Sequence, residues 1–339
     1  MNLEKPVDSA ALAKFGEQCA RLRKEVARII VGQDDVVEQL LLAILARGHA
    51  LLVGVPGLAK TLMVSTFARA VQLSFKRIQF TPDLMPSDIT GTEVIQDDKV
   101  TGQRAFKFLQ GPIFANLVLA DEINRTPPKT QAALLEAMQE RKVTVGGADH
   151  KLPSPFFVLA TQNPIEQEGT YPLPEAQLDR FLFMIQVGYP TDAEEDEIMR
   201  RSALEVPSIE PILDGNQIEQ LQRISRQILV SDSVVEFARK ITRATRPGQQ
   251  DAASFASKLI QWGAGPRASS NLVLAGRARA ALLGRPHVTP EDIEKVAFPI
   301  LRHRVLPSFV AQADGIGPDE ITRRIIEEVK QPGSRSRSA

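Results

Sequence analysis

The sequence has one cysteine, Cys19, in 339 residues. A lone thiol excludes an internal disulfide framework and fits a reducing compartment. Its surroundings, Phe15 to Leu22, have amphipathic helical spacing, so packing rather than chemistry is expected of it. Long apolar runs are missing too: the densest, Leu40 to Ala46, falls far short of the ~20 residues that span a bilayer. Met1 to Asp8 is polar and lacks the apolar core of a secretion signal, so the expected location is cytoplasmic. There is no excess charge of one sign, because 41 Lys and Arg balance 41 Asp and Glu. That balance, with only 5% aromatic residues, argues against a wholesale grip on nucleic acid. No repeat is found. Apolar residues, at 43%, suffice for a large α/β domain and a smaller second one.

The chain is organised around Ala50 to Thr61. A short apolar run, Ala50 to Val53, reads as a buried strand, and Gly54-Val55-Pro56-Gly57-Leu58-Ala59 breaks it with a turn. Lys60-Thr61-Leu62 then opens a helix running to Val71. Strand, Gly-rich turn and a helix opening on Lys-Thr form a cradle for phosphates, with backbone N–H groups and the positive helix end facing the anion. In such a cradle the Lys reaches the β- and γ-phosphates and the Thr hydroxyl ligates Mg²⁺. Ala59 departs from the usual pattern, which has glycine immediately before the Lys.

A second landmark is Asn116-Leu117-Val118-Leu119-Ala120-Asp121-Glu122, an apolar strand running into two acids. In doubly wound α/β folds that edge binds ligands, and the pair suits a Mg²⁺ ligand followed by a base that polarises water. Phe156 to Thr161 is a further strand, and Asn163 just beyond its end can position that water. Ser74 to Phe80 and Phe181 to Val187 bring the apolar strands to five, an α/β sheet core. Thr92 to Gly111 is expected to form a hairpin-like insertion turning at Asp97-Asp98. Arg141 to Val145 and Lys151-Leu152 flank Gly146-Gly147 as a second hairpin. Each is either a client-facing loop or a plain surface connection. An acidic helix, Ala193 to Arg201, follows the composition break at Gly188 to Asp192, and from Asn216 every segment reads as helical. Gly265-Pro266-Arg267 precedes a helix from Ala268 to Leu283, and a cation at the positive end of a helix favours a functional role.

Six segments in order carry a family resemblance: Gly54 to Thr61, Phe80 to Gly91, Leu119 to Arg125, Ala160 to Pro164, Glu175 to Phe181, and Gly265 to Ala268. Together they resemble the AAA+ ATPases, and within them the MoxR group, whose phosphate loops commonly carry alanine where Ala59 stands. The resemblance implies a P-loop αβα sandwich with a five-stranded parallel sheet of order 5-1-4-3-2, then an all-α lid. The expected boundaries are 1–190 for the ATPase core, 191–206 for a linker, 207–331 for the lid and 332–339 for a disordered tail. It implies ATP and Mg²⁺, with Lys60, Thr61 and Asp121 at the phosphates and metal, and Glu122 as catalytic base. Asn163 is similar to sensor 1. Arg267 is similar to sensor 2, reaching the nucleotide from the lid. Arg180 is similar to the arginine finger given to a neighbouring subunit. Val31, Gly32 and Gln33 resemble the adenine-contacting segment, and Arg125 falls where the family forms subunit contacts. The implied protein is a ring, usually a hexamer, that remodels partner complexes together with a von Willebrand factor A-domain protein. A magnesium-chelatase-like subunit, a nucleic-acid motor and a nucleotide-dependent scaffold are the alternatives.

Overall fold

A computed structural model describes residues 8–97, 104–165, 169–203, 205 and 207–331. Asp98 of the turn expected at Asp97-Asp98, and the tail expected over 332–339, fall outside the described residues. Helix α1 (Ser9–Ala27) starts at the Asp8 cap and buries Leu12, Phe15, Cys19, Leu22 and Val26. It ends four residues before Val31, where the chain turns into α2 (Asp34–Leu45). Cys19 is fully buried, and burial pushes its thiol up to about 12, so it is inert packing.

Strands β1 (Ala50–Val53), β2 (Phe75–Gln79), β3 (Leu117–Asp121), β4 (Phe157–Gln162) and β5 (Phe183–Gln186) form one parallel sheet. Across the sheet they run β2-β3-β4-β1-β5, the order the resemblance implies. Their apolar residues alternate between two faces, as the strand period of two requires. Leu52, Leu117, Leu119, Leu159 and Ile185 pack on one side with α1, α2 and α3 (Lys60–Ala70). Leu51, Val118, Ala120, Val158 and Ala160 pack on the other with α4 (Pro128–Glu140). The first cluster continues into the helical region without a break, through Leu272, Ala275, Ile293 and Ile300. Core and lid therefore share one apolar interior.

The acidic segment forms helix α5 (Asp192–Ser202), capped by Thr191 and Glu194. Beyond it lie α6 (Gly215–Gln227), α7 (Asp232–Ala244), α8 (Pro266–Leu282), α9 (Pro290–Leu301) and α10 (Pro318–Lys330). Ser231 caps α7, and Thr289 with Asp292 caps α9. One feature departs from the all-helical expectation here. Ile260–Trp262 pairs antiparallel with Leu306–Pro307. Three and two residues are too short for a period-two pattern to appear. Both expected hairpins are present, Gly91–Asp97 with Arg104–Gln110 and Lys142–Val145 with Ala148–Lys151. Gly146 and Gly147 adopt φ of 59° and 80°, the left-handed pair a two-residue hairpin turn demands.

Candidate functional site

The C-terminal edge of the sheet gathers the phosphate loop and the acids. Gly57 turns the loop with φ of 86°, and Ala59 follows with φ of 52° as the residue before α3. A left-handed alanine costs roughly 1–2 kcal/mol, which explains why glycine is usual there. The turn aims the first N–H groups of α3 into open space. The Lys60 ammonium donates to the Gly54 carbonyl, closing the loop across its mouth. Burial presses the Lys60 ammonium below its usual range, while Asp121 and Glu122 pull it back up.

Asp121 ends β3 nearly buried and is held from both sides. The Thr161 hydroxyl donates to its Oδ1 at 2.6 Å, and Thr61 reaches its Oδ2 at 3.5 Å. Arg77 donates to the same Oδ2 through Nε at 2.9 Å and Nη2 at 2.7 Å. Glu122 sits in the left-handed region at φ 56°, its N–H donating to the Thr161 hydroxyl at 2.8 Å. Gln79 and Arg125 donate to its Oε2 at 2.7 and 3.0 Å. Asn163 is buried two residues beyond Thr161, its Oδ1 accepting from the Ile165 N–H at 3.2 Å.

The alternation along β2 does not by itself mark Arg77 and Gln79 as site residues. The available signal was positional. They share one strand face, and in the parallel register Gln79 lies opposite Asp121. The residues present fit a Mg²⁺ ion. A carboxylate and a hydroxyl oxygen converge, and the Arg77 guanidinium on Asp121 shows that this carboxylate takes a cation.

Beside the loop lies a cavity of about 620 Å³, of the size that holds a small ligand. Ile30, Val31 and Gln33 line one wall, Leu58 and Leu62 another, and Ile198 of α5 a third. Gly57 and Ala59 also face it, whereas Val55 and Pro56 lie in the loop outside its lining. Gly32 stands against the Glu194 side chain instead.

Arg180 and Arg267 lie elsewhere. Leu182 donates to the His49 carbonyl and Phe183 pairs with Ala50, so the segment before β5 sits at the N-terminal edge of the sheet. The phosphate loop leaves the other edge, about 13 Å away across four residues of β1. Arg180 is half-exposed there, with no ion pair among the described residues. Arg267 is held at 2.8 Å by Asp179, and the other oxygen of that carboxylate accepts from buried Arg304 at 2.7 Å. Arg267, expected to reach the nucleotide from the lid, is thus held at Asp179 and is not among the residues lining the cavity. Asp179 anchors it beside Arg180, and no residue beyond Pro207 is among those lining the cavity.

The model for the ATPase family associated with various cellular activities (AAA) matches residues 49–183, and that for the AAA lid domain matches residues 252–325. The chain is 48% identical to Chaperone MoxR1 of Mycobacterium tuberculosis, over 91% of this chain and 81% of that protein. It is 32% identical to Protein MoxR of Methylorubrum extorquens, over 98% of this chain and all of the other. A solved structure from Cytophaga hutchinsonii superposes with a TM-score of 0.86 at 41% identity, covering 94% of this chain and 96% of that one. Among the described residues no helix is long and apolar enough to cross a membrane. With a parallel sheet, a helical lid and relatives matched over most of their length, the chain belongs to the MoxR family of AAA ATPases.

Proposed function

We propose that the chain hydrolyses ATP to ADP and phosphate as a ring of identical copies, usually a hexamer in this family, and uses the cycle to remodel partner protein complexes. The observation that carries this is the split of the expected machinery between opposite sheet edges. Lys60, Thr61, Asp121, Glu122 and Asn163 stand around the phosphate loop, while Arg180 and Arg267 stand at the far edge, which supports their use by another copy's site. A head-to-tail contact between copies brings the two halves together, and such contacts close into rings.

Within one copy, the α3 N-terminus and Lys60 would bind the β- and γ-phosphates, and Thr61 and Asp121 would hold Mg²⁺. Bound there, Mg²⁺ neutralises charge on the phosphate oxygens. Glu122 accepts a proton from the attacking water, and Asn163 orients that water. Gln79 and Arg125 fix Glu122 before that step, and nucleotide entry draws Arg77 off Asp121. The neighbour's Arg180 stabilises the charge of the transferring phosphoryl group, a contribution worth ~10³–10⁵ in rate. Family membership supports a von Willebrand factor A-domain partner and a cytoplasmic setting.

The test is steady-state hydrolysis against protein concentration, with oligomer size followed in parallel. Specific activity should rise as copies assemble, and Arg180→Ala should abolish it while ATP still binds. Mixing Arg180→Ala with Glu122→Gln should then recover activity, because some interfaces pair an intact base with an intact finger. Activity that is independent of concentration and survives Arg180→Ala would refute the shared site.

A further inference from the structure

A second cavity, of about 340 Å³, opens at the N-terminal edge of the sheet, where α2 ends, α4 ends and β4 begins. Its lining is cationic: Arg47, Arg141, Lys142 and Lys151, with Glu140 the one acid among the lining residues. Lys142 is already taken by Asp149 at 2.6 Å. Arg47, Arg141 and Lys151 form no ion pair among the described residues.

The backbone is shaped to hold two of these cations in place. Arg47 follows α2 with φ of 57°, and Arg141 closes α4 with φ of 52°. Both are left-handed helix ends, where glycine is the ordinary residue and a side chain costs energy. Attraction to the helix C-terminus favours a cation at either end taken alone. It does not bring both ends to one cavity. Arg47 is aimed further by Gln222, whose Oε1 accepts from its Nε at 2.9 Å while its Nε2 donates to the Ile44 carbonyl. Among the described residues the outer N–H groups of the Arg47 guanidinium make no hydrogen bond. Burial, then the nearby guanidiniums of Arg226, Arg141 and Arg223, press Arg47 below its usual range, with Glu219 opposing them. Positive charge gathered this way is relieved by an anion.

We propose that this cavity binds a small phosphate-bearing anion, at a site separate from the phosphate loop. Planar Arg forks match phosphate oxygens in pairs, and Lys151 adds a point charge, so the cluster suits an anion of two or more charges better than a single carboxylate. The volume lies at the small end of ligand pockets, too confined for a docked helix or strand. Its place beside the first residue of β4 puts it across the sheet from Asn163, which follows that strand.

The experiment is calorimetric titration of inorganic pyrophosphate, without magnesium, into the full chain carrying Lys60→Ala, which disables the phosphate loop. One pyrophosphate per chain should still bind. Adding Arg141→Asn, a residue that accepts left-handed backbone, should weaken binding roughly tenfold. Arg47→Gln should do the same, and Arg200→Gln on exposed α5 should change nothing. Absence of binding to the Lys60→Ala protein would overturn the proposal. So would binding that both cavity variants leave intact, or a site that takes an oligoglutamate peptide and ignores pyrophosphate.

Discussion

At the C-terminal edge of the sheet, Asp121 accepts from Thr161 and Arg77, Glu122 from Gln79 and Arg125, and Asn163 from the Ile165 N–H, contacts that a ligand can replace. At the N-terminal edge the buried polar groups are locked. His49 is buried, its Nδ1 accepting from Val158 N–H at 2.9 Å and its Nε2 donating to the Met138 carbonyl at 3.2 Å. Arg304 is buried among the carbonyls of Phe181, Leu182 and Ile300, and it carries Asp179 with it. The phosphate-loop site is built to exchange partners, and the buried groups at the far edge to keep them. The finger candidate Arg180 and lid Arg267 are mounted beside these buried groups, so a neighbouring copy in the proposed ring would meet a fixed geometry. A trans contact works only if the donor is rigid, because misplacement of a charge at a reacting centre costs rate steeply.

The sharpest way to break the exchanging edge is Glu122→Gln. It keeps the hydrogen bond from Gln79 within reach but removes the proton acceptor. Hydrolysis should fall by ~10²–10⁴ with nucleotide affinity retained, measured by phosphate release beside equilibrium binding. A loss below tenfold would show that another group accepts the proton.

The locked edge is tested by acid. Burial holds the His49 ring down to about 4, against an ordinary 6.5, so the native state refuses a proton that the unfolded chain accepts. The contribution is intact above pH 6.5 and is lost as pH falls toward 4, by roughly 3 kcal/mol in total. Buried His303 is also held well below its ordinary value and adds a loss of the same sign. Urea midpoints at pH 7 and 4.5 give the size, and NMR titration of the His49 ring assigns it. A His49 ring that titrates near 6.5 in the folded protein would sink this account. Asp179→Asn should cost somewhat less, about 2–3 kcal/mol, because it strips buried Arg304 of its carboxylate while Asp179 itself stays a third exposed. Chemical denaturation measures it, and an unchanged midpoint would mean that the carbonyls alone hold Arg304.

The five strands were legible because each is a short apolar run between turn residues, and the phosphate loop because its chemistry fixes spacing along the chain. Parallel order followed from the family resemblance rather than from any local pattern. Arg77 was illegible for a physical reason. Its partner Asp121 is 44 residues away, and only the register between β2 and β3 joins them. Arg267 was legible in part. Its place at a helix start marked it as functional, but which edge of the sheet it serves depends on Asp179 and Arg304, 88 and 37 positions away in sequence. Local sequence carried the groups that act within one loop, and it was silent on groups placed by packing between layers.

The smallest effect sharpens the comparison at Ala59, a residue of the exchanging edge that is itself strained. Its φ of 52° is one that glycine adopts freely and alanine does not. Ala59→Gly relieves the native strain, yet it also frees the unfolded chain, and the second effect takes back about 0.4–1 kcal/mol. The net should be a gain of under about 1 kcal/mol in stability, with hydrolysis within about twofold of the parent because the N–H direction is unchanged. Thermal melting with and without ADP checks both halves. If Ala59→Gly instead lowers stability, the left-handed turn is held by the Lys60 closure onto Gly54 rather than tolerated in spite of the methyl group. The phosphate loop would then be as locked as the far edge, and the distinction between the two edges would fail at the residue where it is most exposed to test.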